Sequence, residues 1–313
     1  MNDDYLWDRS GEPDPDISRL EQLLGRYRHE APLRRPRRRW LAVAAAIFLL
    51  VAIGAFAVAY RFYWTAGAAW DVVAVTGAPT IDGRVIDEGS VLPVGRELRT
   101  DARSRVIVRI ARVGDLEIGP SSRVTLTGTR SGVHRMQLES GTLSARLWAP
   151  PFTFGVRTPA GLASDLGCEF IVNYANGEGH IGVTSGFVDF DGPTRSSLIP
   201  NGALADLRAS GPGTPYYRDA SAAFRAALHA FDFNGERDAL RVVLAEARSK
   251  DVMTLLHLLE HADDYPEWRQ RIHERAAQLA PPPAGGSIDE WRRSIGLGGI
   301  KKWWLHWRDV VPR

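Results

Sequence analysis

Residues 104–110 read Ser-Arg-Val-Ile-Val-Arg-Ile. Val106, Val108 and Ile110 alternate with Ile107 and Arg109, the period-two pattern of a strand with one buried face. The same alternation continues downstream. Leu116 with Ile118, Val124 with Leu126, Met136 with Leu138, and Leu143 with Ala145 and Leu147 repeat it. So do Phe152 with Phe154, Phe170 with Val172, Ile181 with Val183, and Val188 with Phe190. Glycine-bearing turns separate these runs, among them Asp82-Gly83, Glu88-Gly89, Ser140-Gly141, Asn176-Gly177 and Asp191-Gly192. Ten or more short strands between Trp70 and about Leu207 predict a mainly β domain: a sandwich, a barrel or a short solenoid. Asp82-Gly83 and Ser140-Gly141, each between alternating runs, are expected to be hairpin turns.

Outside this region the period changes. After Pro212 and Pro215 it becomes helical, and Ala220–Phe231, Arg237–Arg248, Val252–His261 and Trp268–Leu279 read as four helices of an all-α region. Short linkers between them predict antiparallel neighbours. Near the C-terminus Ile300, Trp303, Trp304 and Trp307 recur at i, i+3, i+4 and i+7 among Lys301, Lys302 and Arg308. That stripe either packs on the preceding helices or forms a Trp-rich surface for a partner or the outer membrane leaflet.

Upstream, residues 40–60 read WLAVAAAIFLLVAIGAFAVAY, 21 residues without a charge. A helix of that length spans roughly 30 Å, the thickness of a bilayer's hydrocarbon core. Trp40 and Tyr60 bracket it as interfacial aromatics, and Leu41, Phe48, Leu49, Leu50 and Phe56 supply bulk for a membrane anchor. The run is longer than a signal-peptide core and 39 residues precede it, so a retained span is expected. Seven arginines, Arg26, Arg28, Arg34, Arg35, Arg37, Arg38 and Arg39, crowd the 15 residues before it, against Arg61 alone in the 15 after. Positive flanks stay in the cytoplasm, which predicts an N-terminus inside and the bulk of the chain outside.

The N-terminal tail carries one amphipathic helix. Asp14 suits an N-cap and Pro15 the first helical position. Ile17, Leu20, Leu23, Leu24 and Tyr27 then recur on one face. A helix that short is marginal alone in water, so the stripe calls for another protein, a second copy or the membrane surface; a frayed segment without a role is the plain alternative.

Length and charge bound the function. The 313 residues allow about two domains beyond a tail and anchor. Hydrophobic residues at 44% and charged residues at 24% exclude a wholly disordered chain and a multi-pass transporter. Basic residues number 39 and acidic 37, too even for a dedicated nucleic-acid binder. A single cysteine, Cys168, excludes an intrachain disulfide and a multi-cysteine metal site. The segments expected are therefore a cytoplasmic tail at 1–39, the span at 40–60, a linker at 61–69, the β-domain at 70–210 and the helical region at 216–313.

Several runs in the β-region resemble the FecR domain. They are VVAVTGAPTIDG, IDEGSVLPVGRELRTDARSRVIVRI and GDLEIGPSSRVTL, followed by HRMQLESGTLSARL, FTFGVRTPAGLASDLGCEFIVNY and GHIGVTSGFVDF. Their order, with L-x-x-G-x-L, V-x-T-P-x-G and a final V-x-x-G-x-V, is the family's, over residues 70–192. Where the family has Gly-Thr-x-Phe, this chain has Gly167-Cys168-Glu169-Phe170, with Cys168 read as a small, buried, inert replacement. The resemblance implies a single-pass inner-membrane regulator. Its exported β-domain would sense an outer-membrane or periplasmic protein, and its cytoplasmic segment would bind an extracytoplasmic-function sigma factor. The family's better-known anti-sigma segments are about twice as long as this tail. The competing reading is a membrane-anchored envelope structural or binding protein without sigma-factor control.

No catalytic reading competes with these. His257-Leu258-Leu259-Glu260-His261 fits the inverted zinc-protease pattern, with both histidines on one helix face. It needs a third ligand downstream, where only Glu267, Glu274 and Glu290 offer glutamate carboxylates, and it sits in a Leu-rich amphipathic helix. Phosphate-binding loops and nucleophile elbows do not occur. The chain is expected to be no enzyme and to hold no metal or cofactor.

Overall fold

In the computed structural model the period-two runs are strands, over described residues 14–27, 38–63, 69–110, 113–129, 133–261 and 265–279. The chain divides into two units, Met1–Ala55 and Phe56–Arg313. The first holds α1 (Pro15–Gly25) and most of α2 (Arg38–Tyr63).

The second unit opens with strands β1 (Trp70–Thr76), β2 (Thr80–Ile81), β3 (Arg84–Val85), β4 (Val91–Leu92), β5 (Glu97–Arg99) and β6 (Arg105–Ile110). Next come β7 (Gly114–Ile118), β8 (Arg123–Gly128), β9 (His134–Leu147), β10 (Phe154–Thr158), β11 (Gly161–Asp165) and β12 (Glu169–Ala175). The last six are β13 (Glu178–Ser185), β14 (Phe187–Asp191), β15 (Ser196–Pro200), β16 (Ala203–Arg208), β17 (Gly211–Pro212) and β18 (Tyr216–Tyr217). Helices α3 (Ala222–Asn234), α4 (Leu240–Glu246), α5 (Val252–His261) and α6 (Pro266–Leu279) follow.

One sheet runs β4-β1-β6-β7-β9-β12-β13-β16, with β17 and β18 both paired to β16. The other runs β3-β2-β5-β8-β9-β10-β11-β14-β15. Strand β9 belongs to both. Its first half, to Ser140, pairs with β8 and β10, and its second half, from Gly141, pairs with β7 and β12. The result is a curled, almost wholly antiparallel sheet; β9 with β10 is parallel.

One apolar core lines the inside of the curl. Val106, Val108 and Ile110 of β6 are fully buried, as are Leu116, Leu126, Met136, Phe154, Phe170 and Phe190 from both sheets. At about 1.5–3 kcal/mol for each large side chain, this burial is the main driving force for the curl. The indole of Trp70 lies 6.2 Å from the ring of Phe154, which lies 6.4 Å from Phe170, so aromatics bridge the strands.

Asp82-Gly83 is a hairpin turn: both residues have positive φ and β2 pairs antiparallel with β3. Ser140-Gly141 is not. Strand β9 continues through it without pairing its two halves, and Gly141, at φ +108°, bends β9 out of one sheet into the other. Phe152 also differs from expectation. It precedes β10, has φ +65°, and is exposed.

The helices share a second core of Phe224, Leu228, Leu240, Val243, Leu258 and Ile272, among others. Ser221 caps α3 by accepting from the Phe224 N–H, and Gly235 ends that helix in the left-handed conformation. Met253 of α5 reaches into the β core. Trp303, Trp304 and Trp307 lie outside the described residues.

Candidate functional site

The N-terminal helix forms as its sequence dictates. Asp14 accepts from the Asp16 N–H at 2.9 Å, and Pro15 fills the first turn, where its missing N–H costs nothing. Leu20, Leu23, Leu24 and Tyr27 are exposed, Ile17 is half-buried, and no residue of α1 is buried. Ile17, Leu20, Leu23 and Leu24 thus share α1, and Tyr27 follows its last residue.

Within α2, Ala42–Tyr60 has a mean hydropathy of 2.7 and none of it is buried, so one N-terminal helix is long and apolar enough to cross a membrane. Phe48, Leu49, Leu50, Phe56 and Tyr60 are exposed, with Phe56 and Tyr60 stacked one turn apart. The side chains of Trp40 and Leu41 lie outside the described residues.

Buried polar groups in the β-domain have structural duties. The Trp70 Nε1–H donates to His134 Nδ1 at 3.4 Å. His134 is therefore the Nε2–H tautomer, and its Nε2 is buried without a hydrogen-bond partner among the described residues. Burial, aided by the charge of Arg135, pushes His134 down to about 4. Asp165 Oδ1 gathers the N–H groups of Gly167 and Cys168 and the Cys168 thiol. Burial and the Asp165 charge push that thiol far up, so Cys168 is inert. It is nonetheless more than a small apolar filler, because it donates to Asp165 as a hydroxyl would.

Where sheet meets helices, charge is again neutralised. Arg195 holds Asp232 at 2.8 Å, and Asp232 also accepts from the Thr214 N–H and hydroxyl. Burial pulls the Asp232 carboxyl up while Arg195 and Thr214 oppose it. A cleft of about 250 Å³ opens beside the pair, lined by Thr194, Ser210, Phe231 and Tyr265. Just before the cap of α3, the Lys250 and Arg248 side chains hold Asp219 down to about 2.

His257, the first histidine of the inverted zinc-protease pattern, joins two layers. His257 Nε2 accepts the N–H of Leu198, on strand β15 at the sheet edge, at 3.2 Å, while Nδ1 donates to Met253 O at 2.9 Å. Both ring nitrogens are engaged, and among the described residues no group of three His, Cys, Asp or Glu is placed to hold a metal. The side chains of Glu260 and His261 lie outside the described residues. Sequence reading missed this joint and the Trp70–His134 pair. Only Asp165-Leu-Gly-Cys168 carried a local signal, an Asp two residues before a turn glycine.

No family model matches the chain, and no curated protein does. Among solved structures, it is similar to two crystal structures of a "putative anti-sigma factor" from Parabacteroides distasonis. Identity is 15% to each, with TM-scores of 0.34 and 0.35. The similarity covers 42% of this chain and 62% and 63% of those, so the chain spans less than two thirds of their length. A likeness of that size assigns this chain no activity and no partner.

Proposed function

We propose that the chain is a non-enzymatic, single-pass signal transducer of the bacterial inner membrane. Its exported β-domain binds an outer-membrane or periplasmic protein, and α1, on the cytoplasmic side, binds an extracytoplasmic-function sigma factor. The observation that supports this most is the exposed apolar face of α1 on the arginine-rich side of α2. Four large side chains left in water are costly unless a partner covers them, at about 1.5–3 kcal/mol each. The ordered FecR-like runs supply the choice of partner. Signalling requires that the state favoured by the outer ligand differ in its affinity for the sigma factor.

The test is a pull-down with residues 1–39 against each extracytoplasmic-function sigma factor encoded in the same genome. Retention of one, abolished by Leu20→Asp with Leu23→Asp, supports this reading. No retention, with the wild-type and substituted peptides alike, favours a membrane-anchored envelope binding protein.

A further inference from the structure

The strand registers gather one end of the β-domain. Across the first sheet Asp71 stands opposite Arg109, Arg109 opposite Asp115, Asp115 opposite Arg146, and Arg146 opposite Glu169. The residues just beyond this row share an end: Trp70, where the chain enters β1, and Trp148, where it leaves β9. The Trp148 N–H donates to Val113 O and the Leu147 N–H to Cys168 O, which closes the group. Phe152 belongs to the same end, because its N–H donates to Asp165 O at 2.6 Å. The Trp70 indole, against His134 and Phe154, places the starts of β9 and β10 there too.

This end differs from the outer faces of the sheets. There, outward arginines are matched across strands: Arg105 with Glu117, Arg109 with Asp115, Arg123 with Glu139, Arg146 with Glu169. At the end, Trp148 and Phe152 are each 45% exposed. Phe152 is held in a left-handed conformation that a bulky residue rarely adopts. The hold comes from Asp165 and from the Arg135 guanidinium, which donates to Phe152 O at 3.4 Å and His134 O at 2.9 Å. Arg135 has no carboxylate partner among the described residues, and the Arg157 charge lies close enough to act on it. The same end receives the chain from α2. Only residues 64–69 separate Tyr63 from Trp70, a reach of about 25 Å at most.

We propose that this end of the β-domain rests on the surface of a bilayer carrying anionic lipids, with Trp148 and Phe152 as its apolar contacts and Arg135 as its cation. The inference rests on reading α2 as a membrane span. Aromatic rings favour the headgroup layer, a cation there is drawn to anionic lipid, and the short tether keeps both at high effective concentration. The exported domain is then seated on the membrane, and an outer partner that lifts it off changes its seating in one step.

The test uses the full chain in phosphatidylcholine vesicles with and without phosphatidylglycerol. Nitroxide labels are placed on Pro151→Cys, beside Phe152, and on Ala102→Cys, in the turn before β6 at the opposite end; buried Cys168 stays unlabelled. Flotation with the vesicles scores the span by itself, and a chain that does not float overturns the reading of α2. In floated samples with phosphatidylglycerol, the label at 151 is expected to be shielded from a water-soluble nickel chelate and open to oxygen, and the label at 102 open to both. Arg135→Ala is expected to shift the docked-to-undocked ratio at 151 by roughly fivefold towards undocked. A label at 151 that behaves like the one at 102 overturns the docking and leaves this end to a protein partner. Shielding that is equal without phosphatidylglycerol overturns the role of Arg135.

Discussion

Gly141 lies hard against Ser122. A Cβ on Gly141 would fall 2.2 Å from the Ser122 Oγ and 2.4 Å from its Cα, and Gly141 itself holds φ +108°. Ser122 cannot retreat. Its Oγ accepts from the Thr142 N–H at 3.0 Å, and its own N–H donates to Thr100 Oγ1 at 2.8 Å. This is where β9 passes between sheets. Gly141→Ala is therefore expected to cost about 3 kcal/mol or more, from overlap and backbone strain together. Neighbouring Ser140→Ala is expected to stay within about 1 kcal/mol. Thermal unfolding of the two variants in detergent checks this; equal melting temperatures would contradict it.

A second expectation concerns pH. His134 titrates near 6.5 when unfolded and near 4 when folded, because burial disfavours its charged form. Between those values the unfolded chain binds the extra proton. The stability this group contributes is full above pH 6.5 and is lost as pH falls towards 4. The loss is on the order of 3 kcal/mol at the low end. His134→Gln, which still offers Trp70 an acceptor, is expected to flatten the slope across that window. Denaturant midpoints taken from pH 7 to pH 4 in both proteins measure it.

The strands were legible because period two appears in single residues: Val106, Val108 and Ile110 face in and Arg105 and Arg109 face out, as the alternation requires. The bend at Gly141 was not. A glycine between two alternating runs looks the same whether the chain reverses there, as at Gly83, or passes on into a second sheet. What separates the two is contact with Ser122, nineteen positions away, which no local pattern records. Phe152 misled for a related reason: alternation with Phe154 is shared by a strand and by the strained loop that leads into one. The helix of α1 was legible, since Ile17, Leu20, Leu23 and Leu24 lie on it, while Tyr27 follows its last residue, Gly25. His257 was legible as a helical residue and not as a joint, since Leu198 lies 59 positions from it.

That joint yields a third expectation. Replacing His257 by Ala removes the acceptor of the Leu198 N–H and the donor to Met253 O. A buried N–H left unpaired costs about 1–3 kcal/mol, and the lost imidazole adds a cavity. Hydrogen exchange at the Leu198 amide is expected to quicken in the variant, while amides of β6 keep their protection. Unchanged exchange at Leu198 would show that the helices are not held to β15 by this bond.

The Arg195–Asp232 pair gives a fourth. Asp232→Ala leaves Arg195, 14% exposed, without its carboxylate, a loss expected to cost about 3–5 kcal/mol. Arg195→Met in the same chain is expected to recover much of that, because the charge that would be stranded is gone. A double-mutant cycle by chemical denaturation reads the coupling directly; strictly additive single effects would contradict it.

The central claim is that α2 crosses a membrane with α1 on one side and the β-domain on the other. Cysteines placed singly at Leu20 and at Ala102, in intact cells and after lysis, test it with a membrane-impermeant thiol reagent, Cys168 being buried. Labelling at 102 is expected in cells whose outer membrane alone is opened, and labelling at 20 only once the inner membrane is broken. Labelling of both positions before the inner membrane is broken, or of neither, would contradict it.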